Sequence, residues 1–280
     1  MRTKLVRYIY CFVCMLCVLC CMTACIKEQN AYKMQYTYEV YTKEQQDFCK
    51  QLYKLSIENR DIAYKTPLQE YEAVTVLTDF MLYNPYSYWL TSEYTLYCTD
   101  DNMLYLNCST DITEEERTKL DNQLNTEITN CLEYVTAIAE NPKEQPKDAY
   151  NALFCYLYNH ADVLDGTYRA PIKCCLVDKA CNCQGYTYTF MYICSLLGLP
   201  AGAQYGNAYC ADSVAWTVDY DKFQNNELSI NRTNAGHVWI VVPIDGVLYY
   251  LDIYAQKLDE YPEPHFLTAD ELVERCYLWN

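Results

Sequence analysis

Two cysteines one residue apart open the most chemically suggestive stretch of the chain, Lys179 to Pro200, which reads KACNCQGYTYTFMYICSLLGLP. A cysteine attacks as its thiolate, and a helix start favours the thiolate through unpaired N–H groups and a partial positive charge. The apolar spacing after Cys183 predicts a helix that begins at that residue and is ended by Gly198 and Pro200. Cys181 falls in the approaching loop, so helix-start chemistry points to Cys183. Gly185, two residues on, would let another chain segment or a substrate come close to the helix start.

A thiolate nucleophile needs a base, and the chain has three histidines, His160, His237 and His265. His160 ends a predicted helix and His265 lies in the YPEPHF segment, where both read as surface or packing residues. His237 opens the segment GHVWIVVPIDGVLYYLDIYA, whose β-branched and aromatic composition reads as two strands joined by a turn between Pro243 and Gly246. Alternation puts His237 on one face with Trp239 and Val241. A four-residue PIDG loop would pair Val242 with Val247 and therefore His237 with Asp252. A tight Asp245-Gly246 loop would set Asp252 diagonally from His237 instead. In either register the two side chains share a face, within reach of an imidazole-to-carboxylate hydrogen bond. The roles that follow are thiolate nucleophile for Cys183, proton shuttle for His237 and orienter of the imidazole for Asp252.

The elements that must position these residues change in texture along the chain. The seven glycines all lie at or after position 166, so the first half is expected to need no unusual backbone. Two helical patterns, TKEQQDFCKQLYKLSIENRD and TPLQEYEAVTVLTDFMLYNP, are followed by a tyrosine-rich alternating stretch around Asp100-Asp101-Asn102 that reads as a hairpin. A long amphipathic helix follows, with acidic residues early and apolar ones at 120, 124, 128, 132 and 135, then a helix from about Pro146 to His160. PAGAQYGNAY is expected to be a strand. Residues 44–145 thus form a mainly helical accessory region and residues 146–280 a core.

Composition excludes some functions. A chain of 280 residues that is 51% hydrophobic is globular, and a formal charge of −16 leaves no basic stripe for a nucleic-acid partner. The thirty-one tyrosines supply amphipathic bulk. Arg2, Lys4 and Arg7, an apolar run from Tyr8 and small residues before Cys25 form a secretory signal pattern; the apolar run is short for the ~20 residues a spanning helix needs. Met22-Thr23-Ala24-Cys25 looks like a bacterial lipobox. That likeness implies removal of residues 1–24, lipidation of Cys25, a tether over 25–43 and a place on the extracytoplasmic face of a bacterial cell membrane.

NCQGYTYTFMYICSLLGLP and GHVWIVVPIDGVLYYLD, in that order, resemble the transglutaminase-like superfamily, whose bacterial members share a C-x-G-Y helix start, a G-H-x-W strand and a tyrosine-to-aspartate strand. The likeness covers roughly residues 150 to 255. It implies an α+β fold with a papain-like core, the nucleophile helix packed on an antiparallel sheet, and a thioester intermediate. It carries over to Cys183, His237 and Asp252, with Gly185, Tyr186 and Trp239 as motif companions. It implies peptide or protein substrates and no cofactor.

Three other readings of the same residues stay open at this level. Cys174, Cys175, Cys181 and Cys183 could ligate zinc, although adjacent cysteines and C-x-C differ from the usual C-x₂-C pairs of structural zinc sites. A disulfide from Cys181 to Cys174 or Cys175 would fix the loop leading to Cys183. A surface binding module could keep the fold without turnover. The anchoring expectation is testable on its own: a labelled fatty acid should mark the protein in growing cells, and Cys25→Ser should abolish the label.

Overall fold

The computed structural model describes residues 41–90, 93–164, 170–206 and 237–272. The signal segment, Cys25, most of the tether, Gly166, Cys210, Gly236 and Cys276 lie outside the described residues. The architecture is mixed helix and sheet with two antiparallel three-stranded sheets. Among the described residues no helix is long and apolar enough to cross a membrane.

The first half builds its own core. Helix α1 (Lys43–Leu52) starts on a reciprocal cap in which Thr42 and Gln45 satisfy each other's backbone N–H groups. Helix α2 (Glu70–Tyr83) stops before Pro85, as the sequence predicts. The tyrosine-rich stretch is a hairpin of β2 (Tyr94–Cys98) and β3 (Met103–Cys108). Its turn closes through the Thr99 N–H bonded to the Met103 carbonyl, with Asn102 left-handed at φ 63°.

A third strand joins the hairpin in this region. β1 (Asp61–Lys65) pairs antiparallel with β3, in a stretch whose first residue the sequence pattern assigned to the end of a helix. DIAYK alternates only weakly, turning Ile62 and Tyr64 inward and leaving Asp61, Ala63 and Lys65 exposed. Phe48, Leu52, Val76, Leu77, Phe80, Leu104 and Leu106 close this core against the sheet.

Helix α3 (Glu114–Ile138) carries Glu114, Glu115 and Glu116 in its first turn, where the helix dipole favours negative charge. It lies beside α4 (Pro146–His160). Tyrosines tie these parts together: the Tyr88 hydroxyl donates to the Arg117 carbonyl of α3 at 2.8 Å, and the Tyr83 and Tyr188 rings meet edge-on at 4.9 Å across the two halves.

The helix that Cys183 begins, α5 (Cys183–Leu197), is buried on nearly every side from Gly185 to Phe190. Such a helix belongs inside a fold, and α5 packs between α3, α4 and a sheet of order β6-β7-β8. β6 (Gly202–Gly206) and β8 (Val247–Leu251) flank β7 (His237–Ile244), all antiparallel. Ile240, Val242 and Ile244 face the α5 side, whereas Trp239 and Val241 join Tyr250, Leu267 and Leu272 on the other. Both faces of β7 are covered, which explains its near-continuous apolar run.

Gly185 is fixed by close approach, and the approaching segment belongs to the chain itself. A Cβ built there would lie 2.3 Å from the Cys181 Cβ and 3.2 Å from the Pro171 carbonyl oxygen. Neither atom is the free end of a flexible side chain. Gly185→Ala should therefore destabilise the fold by about 1–3 kcal/mol through overpacking, read out as a lower urea midpoint with unchanged slope.

Candidate active site

Cys183 occupies the first position of α5, where the sequence placed it. The preceding Asn182 is the helix cap: its side-chain oxygen accepts from the N–H groups of Gln184 at 3.0 Å and Gly185 at 3.2 Å. This leaves the N–H of Cys183 itself as a helix-start donor beside its own sulfur. Cys183 is half-buried, in contrast to Cys181, which is sealed in the core.

The position of α5 is set by short ties to the end of α4. A two-residue parallel ladder joins β4 (Asp162–Val163) to β5 (Ala180–Cys181). The Asp162 N–H donates to the Lys179 carbonyl and the Leu164 N–H to the Cys181 carbonyl, so the chain entering α5 is held at two points. The buried Tyr186 hydroxyl donates to the Ala161 carbonyl at 2.7 Å. The motif tyrosine thus pins the first turn of α5 to the last turn of α4.

His237 and Asp252 are brought together through the tighter of the two registers. Ile244 pairs with Val247 across Asp245 and Gly246, both at positive φ (51° and 81°), and the last ladder pair is Ile240 with Leu251. Two left-handed central residues are what a two-residue hairpin loop requires. Asp252 follows directly after β8 and sits diagonally from His237, which begins β7. Both therefore lie at the end of the sheet, beside the start of α5. The His237 Nε2 and Asp252 Oδ2 are 2.5 Å apart.

The other carboxylate oxygen of Asp252 accepts from the Ala255 N–H at 3.0 Å, capping helix α6 (Ile253–Leu258). The sequence reading stopped at Asp252 as the end of a strand and missed this helix. Asp followed by IYAQKL is the signal that identifies it. Through α6 come two further residues with no local motif. Tyr254 faces His237 with ring centroids 5.8 Å apart, and Trp239 flanks the imidazole at 5.6 Å. Lys257 donates to the Tyr158 and Ala161 carbonyls at 2.5 and 2.6 Å and lies 3.3 Å from Asp162.

Electrostatics follow from this packing. The side chains of His237 and Asp252 are only 12% and 17% exposed. Burial alone would drive the proton off His237, but the Asp252 carboxylate, with a smaller contribution from the nearby Cys183, outweighs it and pushes the imidazole up to about 10. One imidazole nitrogen is committed to Asp252 while the ring also contacts Cys183. Cys183 and Asp252 thus both neighbour the His237 imidazole.

The remaining candidates fall elsewhere. His160 is a packing residue whose Nε2 lies 2.8 Å from the Leu176 carbonyl and whose ring stacks on Tyr156. His265 lies beside Tyr261. Among the described residues no three His, Cys, Asp or Glu side chains converge as a group that could hold a metal ion.

No family model matches the chain, and no curated protein matches it in sequence. Among solved structures, one described as a crystal structure of a TGase aligns with 15% identity and a TM-score of 0.32. The alignment covers 69% of this chain and 50% of that one, so the chain spans half the length of the structure it matches.

The raised His237 carries a pH signature. A proton held in the fold up to about 10 but released near 6.5 in the unfolded chain stabilises fully below 6.5 and is lost as pH climbs to about 10. Urea unfolding of the protein and of His237→Gln should show a stability gap that is full at about 6.5 and closes as pH rises to about 10. A gap that widens with rising pH would contradict the assignment.

Proposed function

We propose that the chain is a cysteine-dependent acyl-transfer enzyme acting on peptide or isopeptide amides, tethered by a lipid on Cys25 to the outer face of a bacterial membrane. The observation that carries the catalytic half is the alignment of Cys183 at a helix start with His237 and the carboxylate of Asp252. The N-terminal signal pattern carries the location. Residues 44–145 are the accessory region that shapes the substrate cleft, and residues 146–280 form the catalytic core with the papain- and transglutaminase-like arrangement that the motifs resemble.

In this reading Cys183 is the thiolate and His237 the imidazolium. The sulfur attacks the amide carbonyl carbon, and the developing oxyanion is met by the Cys183 N–H at the head of α5. As the C–N bond breaks, His237 gives its proton to the departing amine, leaving a thioester on Cys183. The neutral imidazole then takes a proton from water or from a primary amine, which attacks the thioester and expels the thiolate. Asp252 keeps its oxygen on His237 throughout and stabilises the imidazolium. Water gives hydrolysis; an amine gives a new amide.

Iodoacetamide should alkylate Cys183 rapidly at neutral pH and faster than the buried cysteines. His237→Ala should slow that reaction at neutral pH and lower amide turnover by about 10²-fold or more, with a smaller loss in Asp252→Ala. Turnover is followed as amine release, with and without an added primary amine. Rapid Cys183 alkylation with no turnover of any amide would favour a binding module on the same fold; slow alkylation at neutral pH would overturn the activated thiolate.

A further inference from the structure

The proposed reaction gives no part to Lys257, which lies near the end of α6. That helix has only six residues and begins directly after Asp252. So short a helix makes too few internal hydrogen bonds to hold its own place, and its position must come from tertiary ties. Ile253 and Ala255 bury its apolar side. Two polar ties complete the set: the Gln256 Oε1, which accepts from the His265 N–H at 3.3 Å, and the Lys257 ammonium.

The ammonium donates to the Tyr158 and Ala161 carbonyls at 2.5 and 2.6 Å. Both carbonyls stand at the exit of α4, where the helix has no N–H left to meet them and partial negative charge gathers. A cation there makes two charge-assisted bonds, which are stronger than neutral ones. Asp162, at 3.3 Å but 88% exposed, adds only an ion pair of the weak surface kind. The second donor to the Ala161 carbonyl is the Tyr186 hydroxyl, from the first turn of α5. One acceptor thus sets α6 against the helix that Cys183 begins.

Asp252 is where this placement has its effect. One of its oxygens accepts from the Ala255 N–H inside α6, and the other lies 2.5 Å from the His237 Nε2. The carboxylate therefore moves with α6, whereas His237 is held separately, by the pairing of β7 with Gly206 of β6. A contact this short is lost on a displacement of about 1 Å. From this geometry we infer that Lys257 is a positioning residue: by tying α6 to the exit of α4, it keeps the Asp252 carboxylate on the His237 imidazole. Its use in turnover rests on the acyl-transfer reading above, but its hold on Asp252 does not.

The test is an NMR titration of His237 in the folded, full-length chain carrying isotope-enriched histidine. The chain has three histidines, and the signal that His237→Gln removes identifies the one to follow. Lys257→Met keeps the length of the side chain and removes its donors. In that variant the proton affinity of His237 should fall about tenfold or more, because the imidazolium loses its carboxylate partner. Lys257→Arg, which keeps charge and donors, should restore the affinity, and Asp162→Asn should leave it unchanged. Loss of a nearby positive charge by itself would raise the affinity, so either a rise or an unchanged titration in Lys257→Met would overturn the proposal. An equal fall in Asp162→Asn would assign the effect to the ion pair and overturn it as well. If Lys257→Met does not fold, Lys257→Gln is read by the same criteria. The titration uses no turnover: a chain inactive on every amide would still show the fall, and an unchanged titration beside full activity would remove the positioning role alone.

Discussion

The candidate site depends on one backbone carbonyl, that of Ala161 at the exit of α4. A helix ends with carbonyls that have no partner inside the helix, and something else must satisfy them. Here the partners are the Tyr186 hydroxyl, from the first turn of the helix that begins with Cys183, and the Lys257 ammonium, from the helix that Asp252 caps. Cys183 and Asp252 come from segments far apart in sequence, yet the helices that carry them are referenced to a single buried acceptor. The positive charge of Lys257 suits a helix C-terminus, and its position over the Tyr158 ring at 5.2 Å adds a second attraction. A small displacement of the α4 exit would therefore move both halves of the site together.

Tyrosine is how this chain meets many such demands. Tyr88, Tyr150 and Tyr186 each bring an aromatic body into a packed region and place a hydroxyl on a main-chain carbonyl, of Arg117, Pro200 and Ala161 respectively. Phenylalanine would fill the same volume and leave those carbonyls without that donor. These three tyrosines are thus less a signature of one activity than a way of placing a donor on a main-chain carbonyl within packed surroundings.

What was legible in the sequence follows the physics of each element. The helix start at Cys183 could be read because its signals are local: a polar cap, a glycine and an apolar run. The facing of His237 and Asp252 could be read because hairpin register is set by counting from a turn; only the choice of loop length remained, and the left-handed Asp245 and Gly246 decide it. β1 was hidden because a short edge strand with three exposed residues has little pattern to show. Tyr254 and Lys257 act across distances of many residues, through a helix missed because the last strand residue and the helix cap are adjacent. The close approach that Gly185 permits was foreseen, but its identity as the chain's own Cys181 is a tertiary fact.

The two-residue turn of the β7–β8 hairpin also acts as a ruler. His237 lies seven positions before the last paired residue of one strand and Asp252 five after the first of the other, so their meeting is fixed by a count through Asp245 and Gly246. Replacing side chains on the outer surface of the hairpin leaves that count alone. Inserting or deleting one residue in the turn changes it, and in a strand of period two a slip by one sends a side chain to the opposite face. Sequence drift can therefore act on what this hairpin is made of far more freely than on how long it is. Length variation has to be absorbed outside it.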